Sequence, residues 1–205
     1  MNTASALDRM ASRFGSTWWQ VPLFYSHEYA LRFELGRGEH WIEMFESAMR
    51  RAKLIVDAAL GDSEQAQLGV ATWLGRKSMP SKQRKRMALA FAEYGLPQVE
   101  AFEIAVIPPR SKEQAYTWVG ATMIPRDHVH RVLWPALSVD FRVFPSAHCD
   151  FYLASEDCDV LIHPYDDRGM DVVSTSRRES QDLYDEYSDW LLDCDRERMD
   201  QVFGD

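Results

Sequence analysis

The stretch VLIHPYDDRGMDVVS, residues 160–174, constrains the fold most. Two apolar runs of strand composition flank Asp166-Asp167-Arg168-Gly169. Runs of this kind favour extended chain, and a short polar loop ending in glycine reverses it. The segment predicts an antiparallel hairpin. Gly169 is expected in the left-handed conformation that closes a type I turn with a G1 bulge.

The charges in that loop admit three readings: a catalytic acid cluster, a metal loop or a turn. A catalytic dyad needs two carboxylates that face one another with separated pKa values, and adjacent Asp166 and Asp167 tend to point apart. A calcium loop needs more oxygen ligands, at fixed spacings, than this loop can hold. A turn accounts for both Asp and Gly, because an Asp side chain accepts from nearby backbone N–H groups. Arg168 is expected to pair locally with one of the aspartates. The tip of a hairpin projects, so partner contact remains open for Asp166, Asp167 and Arg168.

Helical spacing marks residues 2–14 through Leu7, Met10 and Phe14, and residues 39–60 through Ile42, Phe45, Met49, Ala52 and Val56. Gly61 ends the second helix. The aromatic, Pro-containing TWWQVPLFY of residues 17–25 predicts a buried irregular segment. Strand composition recurs at residues 29–35, 67–73, 100–107, 115–122, 139–144, 151–154, 160–165 and 170–174. A basic helix spans the eighties, and a short one covers residues 125–134. A long C-terminal helix is expected from Ser176, with a Ser176/Glu179 capping box and a buried stripe of Leu183, Tyr187, Trp190, Leu191 and Cys194. A turn of helix at residues 199–203 then folds back on it. The order predicts one α+β (mixed α/β) domain over residues 1–205, with a mixed or mostly antiparallel sheet flanked by helices. Residues 1–28 form an N-terminal helix and irregular extension, and residues 29–205 the core.

Charge is unevenly spread. Residues 149–205 carry 17 acids and 5 bases, a net of −12, while the whole chain carries −9. Such a field repels nucleic acid, whose binding needs Lys and Arg, and draws in a basic protein. The basic run Arg76, Lys77, Lys82, Arg84, Lys85 and Arg86 has no interleaved aromatic residue. It reads as a solvated face, or as a partner for the acidic tail within the chain or across subunits. No apolar run approaches the roughly 20 residues of a membrane span. The N-terminus lacks a basic segment followed by an apolar one, so a cytoplasmic protein is expected. Cys149, Cys158 and Cys194 have no CxxC spacing and read as reduced thiols. His128-x-His130 falls on a predicted helix, where i and i+2 diverge, and no metal or cofactor is expected. GxSxG, HExxH, Walker A and GxGxxG are absent. Trp18, Trp19, Trp118 and Trp134 read as core.

The closing HPYDDRGMDVVS and LYDEYSDWLLDCDRERMDQVF resemble the end of an uncharacterised bacterial family, a domain of unknown function. LRFELG at 31–36, MRRAKLIVDAAL at 49–60, YTWVGATMIPRD at 116–127 and DFYL at 150–153 are similar too. The resemblance spans residues 30–205 and transfers no catalytic residue. It implies a context, because such small acidic domains resemble the immunity proteins of polymorphic and type VI secreted toxins.

The expected function is binding and occlusion of a basic cognate toxin, a nuclease for example, through Asp166, Asp167, Arg168, Asp185, Glu186 and Asp189. Two rivals stand beside it. One is a small-molecule enzyme that uses carboxylates of residues 163–174. The other is a homo-oligomeric signalling adaptor, a homodimer for instance, joined through the basic helix and the acidic tail.

Overall fold

The computed structural model describes residues 5–74, 80–99, 102–107, 115–141 and 144–204. The chain runs α1 (Ala6–Phe14), β1 (Tyr29–Glu34), α2 (Trp41–Leu60), β2 (Gln65–Leu74), α3 (Ser81–Glu93), β3 (Phe102–Ile107), β4 (Ala115–Pro125), α4 (Val129–Leu137), β5 (Asp150–Ser155), β6 (Val160–Asp166), β7 (Gly169–Ser174), α5 (Arg177–Glu186) and α6 (Arg196–Phe203). One seven-stranded sheet has the order β1-β7-β6-β5-β2-β4-β3. Every pairing in it is antiparallel. The fold is a single α+β domain. Arg76, Lys77, residues 100–101 and the loop at 108–114 lie outside the described residues.

The apolar hairpin sits inside the sheet, with β7 between β1 and β6. Its strands are buried almost throughout, because both sheet faces are covered. On one face, α2 packs on β5 and β6, α4 packs beside α2, and α5 packs against α2, β1 and β7. On the other lie α1 and a 3-10 turn at Leu23–Ser26, bringing Met10, Trp18, Leu23 and Phe24 into the core. Gly69 of β2 lies under this N-terminal segment. A Cβ there would stand 2.6 Å from the Trp18 ring and 2.9 Å from the Met10 methyl, so the indole settles on the sheet only over glycine.

Local signals hold at several ends. Ser5 and Asp8 form a complete capping box on α1. Gly61 takes φ 58° after α2, the left-handed position that ends a helix cheaply only with glycine. Other expectations fail. Ser176 precedes α5 but makes no side-chain cap bond. Its carbonyl instead accepts from the Ser174 hydroxyl at 2.7 Å. Residues 139–141 are a turn, not a strand; Phe141 N–H returns to the Ser138 carbonyl and its ring packs on Trp41 and Phe45.

The expected long C-terminal helix is also divided, since α5 stops at Glu186, single 3-10 turns follow at Ser188–Trp190 and Asp193–Asp195, and α-helix resumes at Arg196. In between, Leu191 bridges Phe33, and Leu192 N–H donates to the Arg32 carbonyl at 2.8 Å. Edge strand β1 offers unpaired backbone groups, and satisfying them outweighs continuing the helix. Cys194, expected on a buried stripe, is exposed as a result. The turn at the end does fold back: the Phe203 carbonyl accepts from Arg177 and Gln181, each at 3.1 Å.

Candidate functional site

Asp166 and Asp167 do not project from the hairpin tip; they are 5% and 8% exposed. Asp166 closes on Arg168, as expected of a local pair. Its Oδ1 accepts the Arg168 backbone N–H at 2.8 Å, and its Oδ2 accepts Nε at 2.9 Å and also Nη2. The tip is roofed by the end of β1, where Leu35 N–H donates to the Arg168 carbonyl at 2.8 Å. Burial and the neighbouring Asp166 charge raise the Asp167 pKa. Of the three tip residues only Arg168 faces solvent, and its guanidinium lies 3.6 Å from Asp140.

Gly169 is not left-handed, since it is absent from the positive-φ positions. The turn has two residues, Asp167 and Arg168, with Asp166 paired to Gly169 and a register irregularity at Pro164/Asp166. Glycine is needed for space: a Cβ would strike the Tyr165 hydroxyl and stand 2.8 Å from the Phe33 carbonyl oxygen.

Behind the tip lies a second charged cluster, assembled from distant parts of the chain. Register aligns Arg32, Asp171 and His163 across three strands. Arg32 grips Asp171 through two bonds, Nε to Oδ1 at 2.7 Å and Nη2 to Oδ2 at 3.1 Å. Its Nη1 reaches Asp195 at 3.1 Å. Asp171 Oδ2 also accepts the Phe24 N–H at 3.1 Å. The Arg32 guanidinium stacks over Phe24 and Tyr25 at 4.8 and 4.9 Å from their ring centres. Burial alone would lower the Arg32 pKa, but the two Asp171 contacts raise it above its ordinary value. The cluster ties the N-terminal segment, β1, β7 and the C-terminal turn together.

His163 completes the row. It stacks on Tyr152 with ring centres 4.6 Å apart, and the Tyr152 hydroxyl donates to the Trp19 carbonyl at 2.7 Å. Neither ring nitrogen of His163 has a hydrogen-bond partner among the described residues. Burial, with Arg32 nearby, pushes the His163 pKa down to about 3. One sequence signal pointed here. A lone Asp inside the apolar run GMDVVS, or a lone Arg inside YALRFEL, faces a covered sheet and needs an opposite charge.

Asp185, Glu186 and Asp189 are exposed on and just after α5, so the structure separates them from buried Asp166 and Asp167. Beside α5, the helical layer shows aromatic surface. Trp41 is 64% and Trp134 48% exposed, which corrects the reading of Trp134 as core; Trp18 and Trp19 are buried as expected. Phe45 joins Trp134 and Phe141 into one cluster, with ring centres 5.7 and 5.3 Å away. Trp190 lies near Arg50 and Arg51, 6.0 and 5.1 Å from its ring centre. Glu43, Glu46 and Asp57 of α2, Asp140, and Asp182, Asp185, Glu186 and Asp189 are exposed carboxylates of this helical layer. Among the described residues no group of His, Cys, Asp and Glu has the arrangement of a metal site, and no helix is long and apolar enough to cross a membrane. His130 bonds Asp57 at 2.9 Å, apart from His128.

These features define an α+β domain with a buried ionic cluster and an aromatic, acid-edged helical face. Residues 7–195 match the family described as Domain of unknown function (DUF3885), and the chain belongs to that family. The match begins within α1, so the family unit includes the N-terminal segment that covers the cluster. No curated protein and no solved structure matches the chain.

Proposed function

We propose that this protein is an immunity protein, which binds a basic secreted antibacterial toxin and blocks it by occlusion. The observation that carries the reading is the helical face of α2, α4 and α5. Trp41, Phe45, Trp134 and Phe141 present apolar contact area on α2, α4 and the turn after it, and Asp185, Glu186 and Asp189 expose carboxylates without an ion pair among the described residues on α5 and the turn that follows. Large exposed apolar patches on otherwise polar surfaces mark interaction sites, and tryptophans recur among the residues that dominate binding energy. The acids add steering towards a basic surface, and a nuclease fits because its own groove must be basic. The toxin context rests on the sequence resemblance of the closing motif alone.

The contact residues differ from those the sequence suggests. Asp185, Glu186 and Asp189 stay in it, Arg168 sits at its margin, and Asp166 and Asp167 belong to the interior. A double change at Asp166 and Asp167 would therefore report on folding rather than on binding or turnover.

The test is a tagged pull-down from a lysate of the source organism, washed at low and high salt. The expected result is a stoichiometric partner that is toxic when expressed alone and harmless when co-expressed with this chain. A stoichiometric partner that is not toxic, or a toxic one that this chain fails to neutralise, would overturn the immunity reading.

A further inference from the structure

The basic helix α3 is absorbed by nothing described so far. Lys82, Arg84, Lys85 and Arg86 are all exposed. Among the described residues none of them enters an ion pair. The acidic C-terminal region packs on β1, β7 and α2, away from α3, so within the chain it does not neutralise this helix.

The same helix roofs a concave site of about 550 Å3. Arg84, Met87, Ala88 and Phe91 recur at helical spacing along its inner face, and Trp118 of β4 with Gln98 and Val99 complete the lining. The floor is anchored, because Phe91 stacks on Phe151 of β5 with ring centres 5.9 Å apart. Arg84 stands over the Trp118 ring at 5.7 Å, at the border of apolar floor and solvent. The volume lies in the roughly 300–1,000 Å3 range of small-molecule sites, and a mostly apolar lining with one or two polar groups is their usual composition.

We propose that the groove between α3 and β4 binds a small organic anion with a flat or acyl apolar body. Arg84 takes the carboxylate, sulfonate or phosphate head, as a planar guanidinium suits such groups. Met87, Ala88, Val99 and Trp118 cover the body. Lys82, Lys85 and Arg86 on the outer flank hold the local potential positive over apolar walls, which focus it. Charge selects the size of the ligand. The whole chain carries −9, so a polyanion is repelled along its length, whereas a single anionic head feels mainly the nearby cations. This site stands apart from the α2–α5 face and does not depend on the immunity reading.

The test uses the full chain with 8-anilinonaphthalene-1-sulfonate as the aryl probe, laurate as the acyl probe and inorganic phosphate as the head alone. The naphthalene probe is expected to bind saturably at one site, and laurate to displace it while phosphate does not. Arg84→Gln removes a charge-assisted contact and should weaken the probe by about tenfold or more. Ala88→Trp fills the groove from a half-exposed helix position and should abolish binding. Both variants should melt with the parent. Probe binding that is unchanged in the two variants, or laurate that fails to compete, overturns the proposal. Binding to anionic lipid vesicles without any response to free laurate also overturns it, and assigns α3 to a membrane surface instead.

Discussion

Two regions of this protein are dense in carboxylates and arginines, and they work in opposite ways. In the hairpin region, Asp171 and Asp195 are withdrawn from water and each bonded to Arg32, and Asp166 is bonded to Arg168. Along α5 and the turn after it, Asp185, Glu186 and Asp189 face water, and none of them enters an ion pair among the described residues. Removing one member of a buried pair strands the other in a poor solvent. Removing a solvated carboxylate strands nothing. Acid content in a sequence is thus no guide to function until pairing is known: the most conspicuous acids, Asp166 and Asp167, serve the fold, and plainer ones remain free to meet a partner.

The largest effect expected follows from Asp171. Asp171→Ala leaves the Arg32 guanidinium without its two-pronged acceptor and the Phe24 N–H without its own. Breaking a buried pair from one side costs about 3–5 kcal/mol. Urea denaturation should show that loss as a lower midpoint with little change in slope. Removing both charges together, as Arg32→Met with Asp171→Leu, should recover only the part owed to the stranded guanidinium, because the Phe24 N–H still lacks its acceptor and Asp195 loses Arg32. A single variant that loses under about 1 kcal/mol would contradict the assigned role, since the cost rests on a charge being stranded.

How far this contrast could be read beforehand depends on distance along the chain. The hairpin, the pairing of Arg168 with Asp166, α2 with its Gly61 stop and the buried aromatic segment before β1 follow from neighbours a few residues apart. Arg32 and Asp171 lie 139 residues apart, and only the sheet order brings them together. The break after Glu186 has the same origin. Nothing local in TYR-SER-ASP-TRP composition forbids helix there, yet the β1 edge needs the Leu191–Leu192 backbone. Trp134 departs from the core reading for a related reason: helical spacing shows that a face is apolar, not whether a neighbour covers it.

His163 sharpens the comparison through pH. Its pKa is held at about 3, below the 6.5 of a free imidazole. Below pH 6.5 the unfolded chain therefore takes up a proton that the folded chain refuses, and stability present above 6.5 is lost as pH falls towards 3, by at most about 1.4 kcal/mol per pH unit. Arg32, Asp166, Asp171, Tyr152 and Tyr165 surround the ring, so other groups contribute to the total acid response. The difference between two proteins isolates the histidine. His163→Phe keeps a ring against Tyr152 and should lose less stability than the parent between pH 6.5 and 4. Parallel curves for the two would show that the imidazole does not resist protonation in the fold.

The smallest expected effect on stability is the most informative about binding. Neutralising Asp185, Glu186 and Asp189 together, as Asp→Asn and Glu→Gln, breaks no ion pair among the described residues, and the amides can keep the bonds to Gln181 and Tyr187. Each change should move stability by no more than about 0.5 kcal/mol. The melting temperature should therefore barely shift, in contrast to Asp171→Ala. If these acids steer a basic toxin, the triple variant should associate more slowly, and its association rate should depend less on salt than that of the parent. Dissociation should change little, because a charge at the rim of an interface acts mainly on encounter. A stable variant whose association rate matches the parent at every salt concentration would remove the electrostatic part of the function and leave Trp41 and Trp134 to carry the contact alone.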